Sequence, residues 1–397
     1  MHRTTTLLAL ALLVGACRPG PAVISPEILP PVLDPALVAA GRDIFRFDAF
    51  GDEAFWTDTL RLHEVIQTAL TPKLALELGL QVDVDALPPA VQSALSKGTI
   101  DLNDPATTVT LLKLNAVVGV LGHVERIGNR DTLTQVGITC ALCHSMVDNS
   151  LAPGIGHRRD GWANIKLNPG GIIATSPALT PAQRSVYSSW GVGRYDPRFS
   201  IDGKNTPIVI PPAYGLARVS HETFTGDGPV SYWNAYVAVT QMHGRGNFSD
   251  PRLGITRVAS PDLVTPKLAA LRAYQFSLGT PVAPNGSFET IAASRGRKLF
   301  IGKAKCSSCH IGVALTDINL GIRHAAAEVG TDPAYALRTA EKRYRTTPLR
   351  GLWQHPPYFH DGSAATLNDV VTHYQKQLSL RLSVAERADL VQYLRSL

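Results

Sequence analysis

Two short stretches of this sequence carry the same chemistry. Cys140-Ala141-Leu142-Cys143-His144 and Cys306-Ser307-Ser308-Cys309-His310 both read C-x-x-C-H. On a helical turn, positions i, i+3 and i+4 share one face. Two thiols so placed can form thioethers with both vinyl groups of a single haem, and the imidazole that follows projects toward the iron as its proximal ligand. The pattern is the attachment signature of c-type haem. A zinc site would want a further Cys/His pair nearby, and a redox dithiol of the thioredoxin kind would want a βαβ setting; neither surrounds these motifs. Cys140, Cys143, Cys306 and Cys309 are therefore expected to bind two haem c groups, with His144 and His310 as proximal ligands. They use four of the five cysteines, so no pair remains for a disulfide.

The elements around the motifs repeat as well. "SRGRKLFIGKAK" precedes the second motif as a helix with Gly296 and Phe300, and the chain closes with "LSVAERADLVQYLRSL". Ser383 can cap that closing helix with Glu386 at the capping-box position. Leu390, Leu394 and Leu397 line one of its faces, with Tyr393 adjacent. A glycine in the first helix lets the last one cross closely, as in the cytochrome c fold. In the first half, Gly41 and Phe45 stand at the same offset, and Leu268, Leu271, Tyr274 and Leu278 mirror the closing helix. The expected fold class is mainly α, with two cytochrome c-like domains at 35–280 and 291–397, a linker at 281–290 and loop-rich insertions. The largest insertion, 46–139, ends in an alternating segment that turns at Gly128-Asn129, which predicts a small β-hairpin before the first haem. From His144 to about residue 230 the chain is rich in Gly and Pro and reads as loop wrapped around haem.

Composition narrows the setting. The 397 residues are 45% apolar, enough for two or three domains with cores. The net charge of +6 is scattered, and no Lys/Arg run resembles a nucleic-acid footprint. "MHRTTTLLALALLVGACRPG" has a basic start, a short apolar core and small residues before Cys17. It reads as a lipoprotein signal peptide at 1–16, with Cys17 as the acylated residue and 17–34 as a tether. The expectation is export to the periplasmic side of a bacterial membrane with lipid anchoring.

"YRTTPLRGLWQHPPYFHDGSAATLNDVVTHY" (344–374) closely resembles the signature region of bacterial di-haem cytochrome c peroxidases and of the related di-haem enzymes that mature a tryptophan-tryptophylquinone cofactor. The resemblance covers the second domain well and the first in outline. It implies an electron-transferring C-terminal haem, an N-terminal haem where peroxide reacts, and a small redox protein, a cytochrome or a cupredoxin, as donor. The alternatives are an electron carrier without its own substrate, and an oxygenase or protein-modifying enzyme on the same scaffold.

The resemblance also assigns roles to residues. No Met follows Cys309, so a Met ligand within the second domain is excluded; the matching position is Tyr374, with His373 next to it. His360 is expected to be structural or near the haem edge, and Arg350 to pair with a haem propionate. At the first haem the distal candidates are His157, matching a segment whose His occupies the iron in resting peroxidases, and Met242, where simple cytochromes place their ligand. Gln241 stands in place of a proton-moving Glu, with His243 as the substitute beside it. Phe224 stands where a tryptophan lies between the haems, and Trp233 follows further along. Asn205 matches an Asn that helps bind an inter-domain calcium, with the other side supplied near Thr346–Pro348.

Overall fold

The computed structural model describes residues 31–397; Cys17, the signal peptide 1–16 and most of the tether lie outside the described residues. The chain then opens with helix α1 (Pro35–Phe47), capped by the Asp34 carboxylate, which accepts from Ala36 N–H. Pro35 at the first helical position supplies a preset φ where no N–H is needed. Helix α1 crosses a helix far along the chain, Leu268–Ser277. A Cβ on Gly41 would stand 2.0 Å from the Ala270 carbonyl oxygen, so only glycine permits the crossing. Phe45 seals it, edge-on to Tyr274 with ring centroids 5.5 Å apart.

The same construction closes the chain. Helix Thr290–Ile301 crosses helix Val384–Arg395, and a Cβ on Gly296 would stand 2.0 Å from the Asp389 carbonyl oxygen. Phe300 meets Tyr393 edge-on at 5.2 Å. Ser383 and Glu386 form the expected capping box. Two glycines and two aromatic pairs thus repeat one helix crossing on either side of the 281–290 segment.

Between the first crossing's two helices lies the 46–139 insertion. Its short helices α2 (Leu62–Thr68), α3 (Pro72–Glu77), α4 (Pro89–Ser96) and α5 (Pro105–Lys113) gather around Leu70, Leu80 and Leu112. The hairpin Val120–Ile127/Arg130–Ile138 closes this core, pointing Leu133 and Val136 inward and turning at Gly128-Asn129 as read from the sequence. All sheets among the described residues are two-stranded, and helices dominate. No described helix is long and apolar enough to cross a membrane.

The segment from His144 to 230 is largely loop, with three short α-helices not expected from the sequence, Pro169–Ala174, Pro181–Ser188 and the single turn Phe199–Asp202. The second has a full capping box from Thr180 and Gln183. Two turns give too little periodicity to register as a helix, although the cap itself was legible in "TPAQ".

Candidate haem sites

Both C-x-x-C-H motifs open onto one continuous cavity of about 690 Å³, lined mainly by apolar side chains. His144 directs Nδ1 at the Pro211 carbonyl oxygen, 3.0 Å away, and His310 directs Nδ1 at that of Leu315, also 3.0 Å away. In each case Nδ1–H donates, which leaves the Nε2 lone pair as the available ligand. Burial pulls His144 down to about 4 and lowers His310 as well, so both are held as the neutral imidazoles a metal requires. All four motif thiols are free of disulfides, and burial pushes Cys140 and Cys143 up to about 12 and Cys306 to about 11. Paired thiols, a prepared imidazole and an apolar cavity at each motif fit haem c.

The two candidates for the second site part company. Tyr374 and His373 are neighbours on helix Leu367–Gln377, where successive residues diverge by about 100°. Tyr374 lines the cavity, and its phenol is pushed up to about 12, first by burial and then by nearby Cys309 and Cys306. His373 instead turns its Nε2 to the Val329 carbonyl, 2.8 Å away, and does not line the cavity. His360 lines it too, tied by Nε2 to the Tyr344 hydroxyl at 3.0 Å and by Nδ1 to Thr331 Oγ1 at 3.2 Å. His324, which sequence reasoning missed, is clamped between Asp317 at 2.9 Å and Glu328 at 2.8 Å, and Asp317 leads in holding it at about 11.

Near the first motif, Gln241 and Met242 line the cavity at the end of helix Val230–Thr240. The Gln241 amide is fully engaged. Its oxygen accepts from the Tyr195 hydroxyl at 2.5 Å, and its nitrogen donates to Ser200 Oγ at 3.1 Å and Thr240 Oγ1 at 2.9 Å. Trp56 donates to the Met242 carbonyl at 3.1 Å and to Asp52 at 3.2 Å. Asp52 is fully buried, and burial, with Glu53 beside it, pushes its carboxyl up to about 9. Nothing in its local sequence marks Tyr195 or Asp52; each is assembled by contacts across long stretches of chain.

Two residues expected here are placed elsewhere. His157 is exposed and pairs with Asp85 at 2.9 Å, away from the cavity lining. His243 has a positive φ of 64°, which turns its ring onto Phe55 in a stack with centroids 3.6 Å apart. It does not line the cavity, and burial lowers it to about 4.

Polar groups gather where the two halves meet. Arg350 donates to the Gly215 carbonyl at 2.7 Å and to Glu222 at 3.2 Å, and Arg345 pairs with the same carboxylate at 3.1 Å. Two guanidinium groups on one carboxylate leave a surplus positive charge in the cavity wall, which suits anionic propionates. Phe224 and Trp233 also line the cavity, and the buried Trp233 Nε1 has no hydrogen-bond partner among the described residues.

Asn205 does not fit a calcium ligand. Its side-chain oxygen accepts from Trp190 Nε1 at 2.9 Å. The adjacent carboxylates, Asp196 and Asp202, hold a cation that the chain itself supplies, Arg338, at 2.8 and 2.7 Å. Calcium wants six to eight oxygens, and here those oxygens are spent on a guanidinium.

The comparisons with known proteins agree with this chemistry. The cytochrome c family model matches residues 293–397. Over 284 residues the chain is 34% identical to the methylamine utilization protein MauG of Methylorubrum extorquens, spanning 66% of this chain and 72% of that protein. It is 28% identical over 151 residues to the MauG of Methylophilus methylotrophus, 32% of this chain and 45% of the relative. It is 27% identical over 235 residues to hydrazine synthase subunit gamma of Kuenenia stuttgartiensis, 49% of this chain and 64% of the relative. With covalently bound c-type haem and an oxidoreductase scaffold, the chain belongs to the MauG-like di-haem cytochrome c peroxidase family.

Proposed function

We propose that the chain is a periplasm-facing oxidoreductase of two cytochrome c-like domains, 35–280 and 291–397, carrying one haem c at each motif. With haem held by Cys306, Cys309 and His310, the second site would accept electrons from a small redox protein, a cytochrome or a cupredoxin, and the first, held by Cys140, Cys143 and His144, would serve the reduction of peroxide or another oxidant. Haem c supplies the iron-centred electron transfer and oxidant reduction when bound. The observation that supports this reading is that one largely apolar cavity is bordered by both motif histidines, His144 and His310.

The chain's own groups divide the work. The second motif lies near the surface, with Ser308 and Lys305 exposed, while the nearby Lys303 is paired with Glu386 at 2.7 Å; Lys305 gives an approach suited to an acidic group on a redox partner. Tyr374, which lines the cavity there, would serve as a ligand to the group bound at that site. At the first site the Gln241 amide, fixed by Tyr195, Ser200 and Thr240, orients a bound oxidant but exchanges no proton. Trp56 and Met242 wall it from water. Arg345 and Arg350 hold propionate charge. An N-terminal lipid on Cys17 tethers the molecule to the membrane. A second reading, an oxygenase or protein-modifying enzyme on this scaffold, is favoured by the phenol of Tyr374 where peroxidases use Met.

Optical and EPR spectra of the oxidised and mixed-valence protein, with and without peroxide, test the proposal. Peroxide is expected to change the signal of one haem in the half-reduced protein. Two low-spin irons that ignore peroxide in both states would reduce the chain to an electron carrier.

A further inference from the structure

The 46–139 insertion encloses a second, separate cavity of about 230 Å³ among helices α2 to α5. Its lining is almost wholly apolar, with Leu76, Val91, Leu95, Leu111 and Val117 among the walls. The few polar side chains around it are already committed. Thr108 donates to the Leu70 carbonyl at 2.7 Å, Thr107 to that of Asp101 at 2.9 Å and Thr110 to that of Ala106 at 3.0 Å. Gln81 donates to Asn164 at 3.2 Å and accepts from Val147 N–H at 2.5 Å. A water needs two to four polar partners to be held, and the three threonine hydroxyls, each already donating to a backbone carbonyl, offer it no further O–H.

Its position gives it a use. Ile66, Leu70, Leu80 and Val120 line this chamber and the haem cavity alike, so one layer of side chains separates them. Leu95, Ile100 and Leu102 in its wall are only partly buried, so this side of the chamber lies nearest the surface. An apolar cavity of about 150 Å³ stays dry and takes up benzene or xenon, so this one has room for a single aromatic ring.

We infer that the insertion is a binding chamber for a small, uncharged, apolar molecule, up to the size of one aromatic ring, held beside the first haem site. As a substrate store it rests on the reading that this haem is where substrate reacts. It narrows that reading, because a polar oxidant such as peroxide has no partner in the chamber.

Crystals of the haem-loaded protein soaked in iodobenzene test it, together with melting curves in benzene. An iodine anomalous peak is expected between α4 and α5, inside the 230 Å³ chamber, with a rise in melting temperature of about 2 °C in saturating benzene. Leu95→Trp fills the space from a partly buried position and should abolish both effects with the haem absorption bands unchanged. Ordered waters filling the chamber, or iodine found only in the haem cavity, would overturn the inference. If Leu95→Trp fails to load haem, the native crystal decides alone. A chamber peak in a protein whose haems both ignore peroxide keeps the chamber and removes the reading it serves.

Discussion

At the first motif, Cys140 and Cys143 lie beneath the insertion and its hairpin, and the groups nearby are a locked amide, a thioether side chain and an indole, from Gln241, Met242 and Trp56. At the second, Ser308 is exposed, an exposed Lys305 directly precedes the motif, and the group facing the cavity is the Tyr374 phenol. The proximal construction is the same in both, an imidazole fixed through Nδ1 to a backbone carbonyl. What differs is shelter. A buried site restricts which molecules reach it, whereas a surface site exchanges electrons with a partner across a short gap. Under the proposed function, this contrast corresponds to a place for chemistry and a place for electron entry within one repeated scaffold.

The largest expected effect breaks the junction that serves both sites. Glu222→Gln leaves Arg345 and Arg350 buried without their shared counter-charge, a loss of about 3–5 kcal/mol. Denaturant unfolding should show it, and haem loading should fall at both motifs together.

Next in size is a change confined to the first site. Gln241→Glu restores a proton-exchanging group at a position already held by Tyr195. General acid–base help is worth about 10²–10⁴ in rate, so peroxide turnover should rise by about 10²-fold. Steady-state assays with a reduced small cytochrome would measure it, and an unchanged rate would detach Gln241 from the chemistry.

The repeated helix crossings offer a matched pair. Gly41→Ala and Gly296→Ala each drive a Cβ into a carbonyl oxygen and should cost about 1–3 kcal/mol apiece. Thermal unfolding that faulted only one of them would break the equivalence of the two crossings.

The remaining effect is a pH dependence, small at any one pH step. Asp52 has its carboxyl raised to about 9 in the folded chain, so the folded state keeps a proton that the unfolded chain releases in the ordinary carboxylate range. Its contribution is therefore full at low pH and is lost as pH rises through about 9. Native protein should lose about 1 kcal/mol or more per pH unit between pH 5 and 8.5 that Asp52→Asn does not, measured by denaturant unfolding at both values.

The legible parts of the molecule were those written locally. The motif residues, the Gly41/Phe45 and Gly296/Phe300 offsets, the Ser383 cap and the Gly128-Asn129 turn each depend on neighbours within a few positions. The resemblance added Tyr374 ahead of His373, and the helix presents the first of these to the cavity. The misplaced residues were decided by long-range contacts. His157 is drawn to Asp85 in the insertion, and a left-handed backbone turns His243 onto Phe55. Asn205 lost its cation role to Arg338, which lies far along the chain. Tyr195 and Asp52 carry no motif at all, since their partners come from distant segments.

EPR of the oxidised protein beside Tyr374→Phe tests the claimed difference between the sites most directly. The account predicts two distinct ferric signals in the native protein, one low-spin and one high-spin, with Tyr374→Phe altering the low-spin signal alone. Two low-spin signals in the native protein, both indifferent to the substitution, would contradict it.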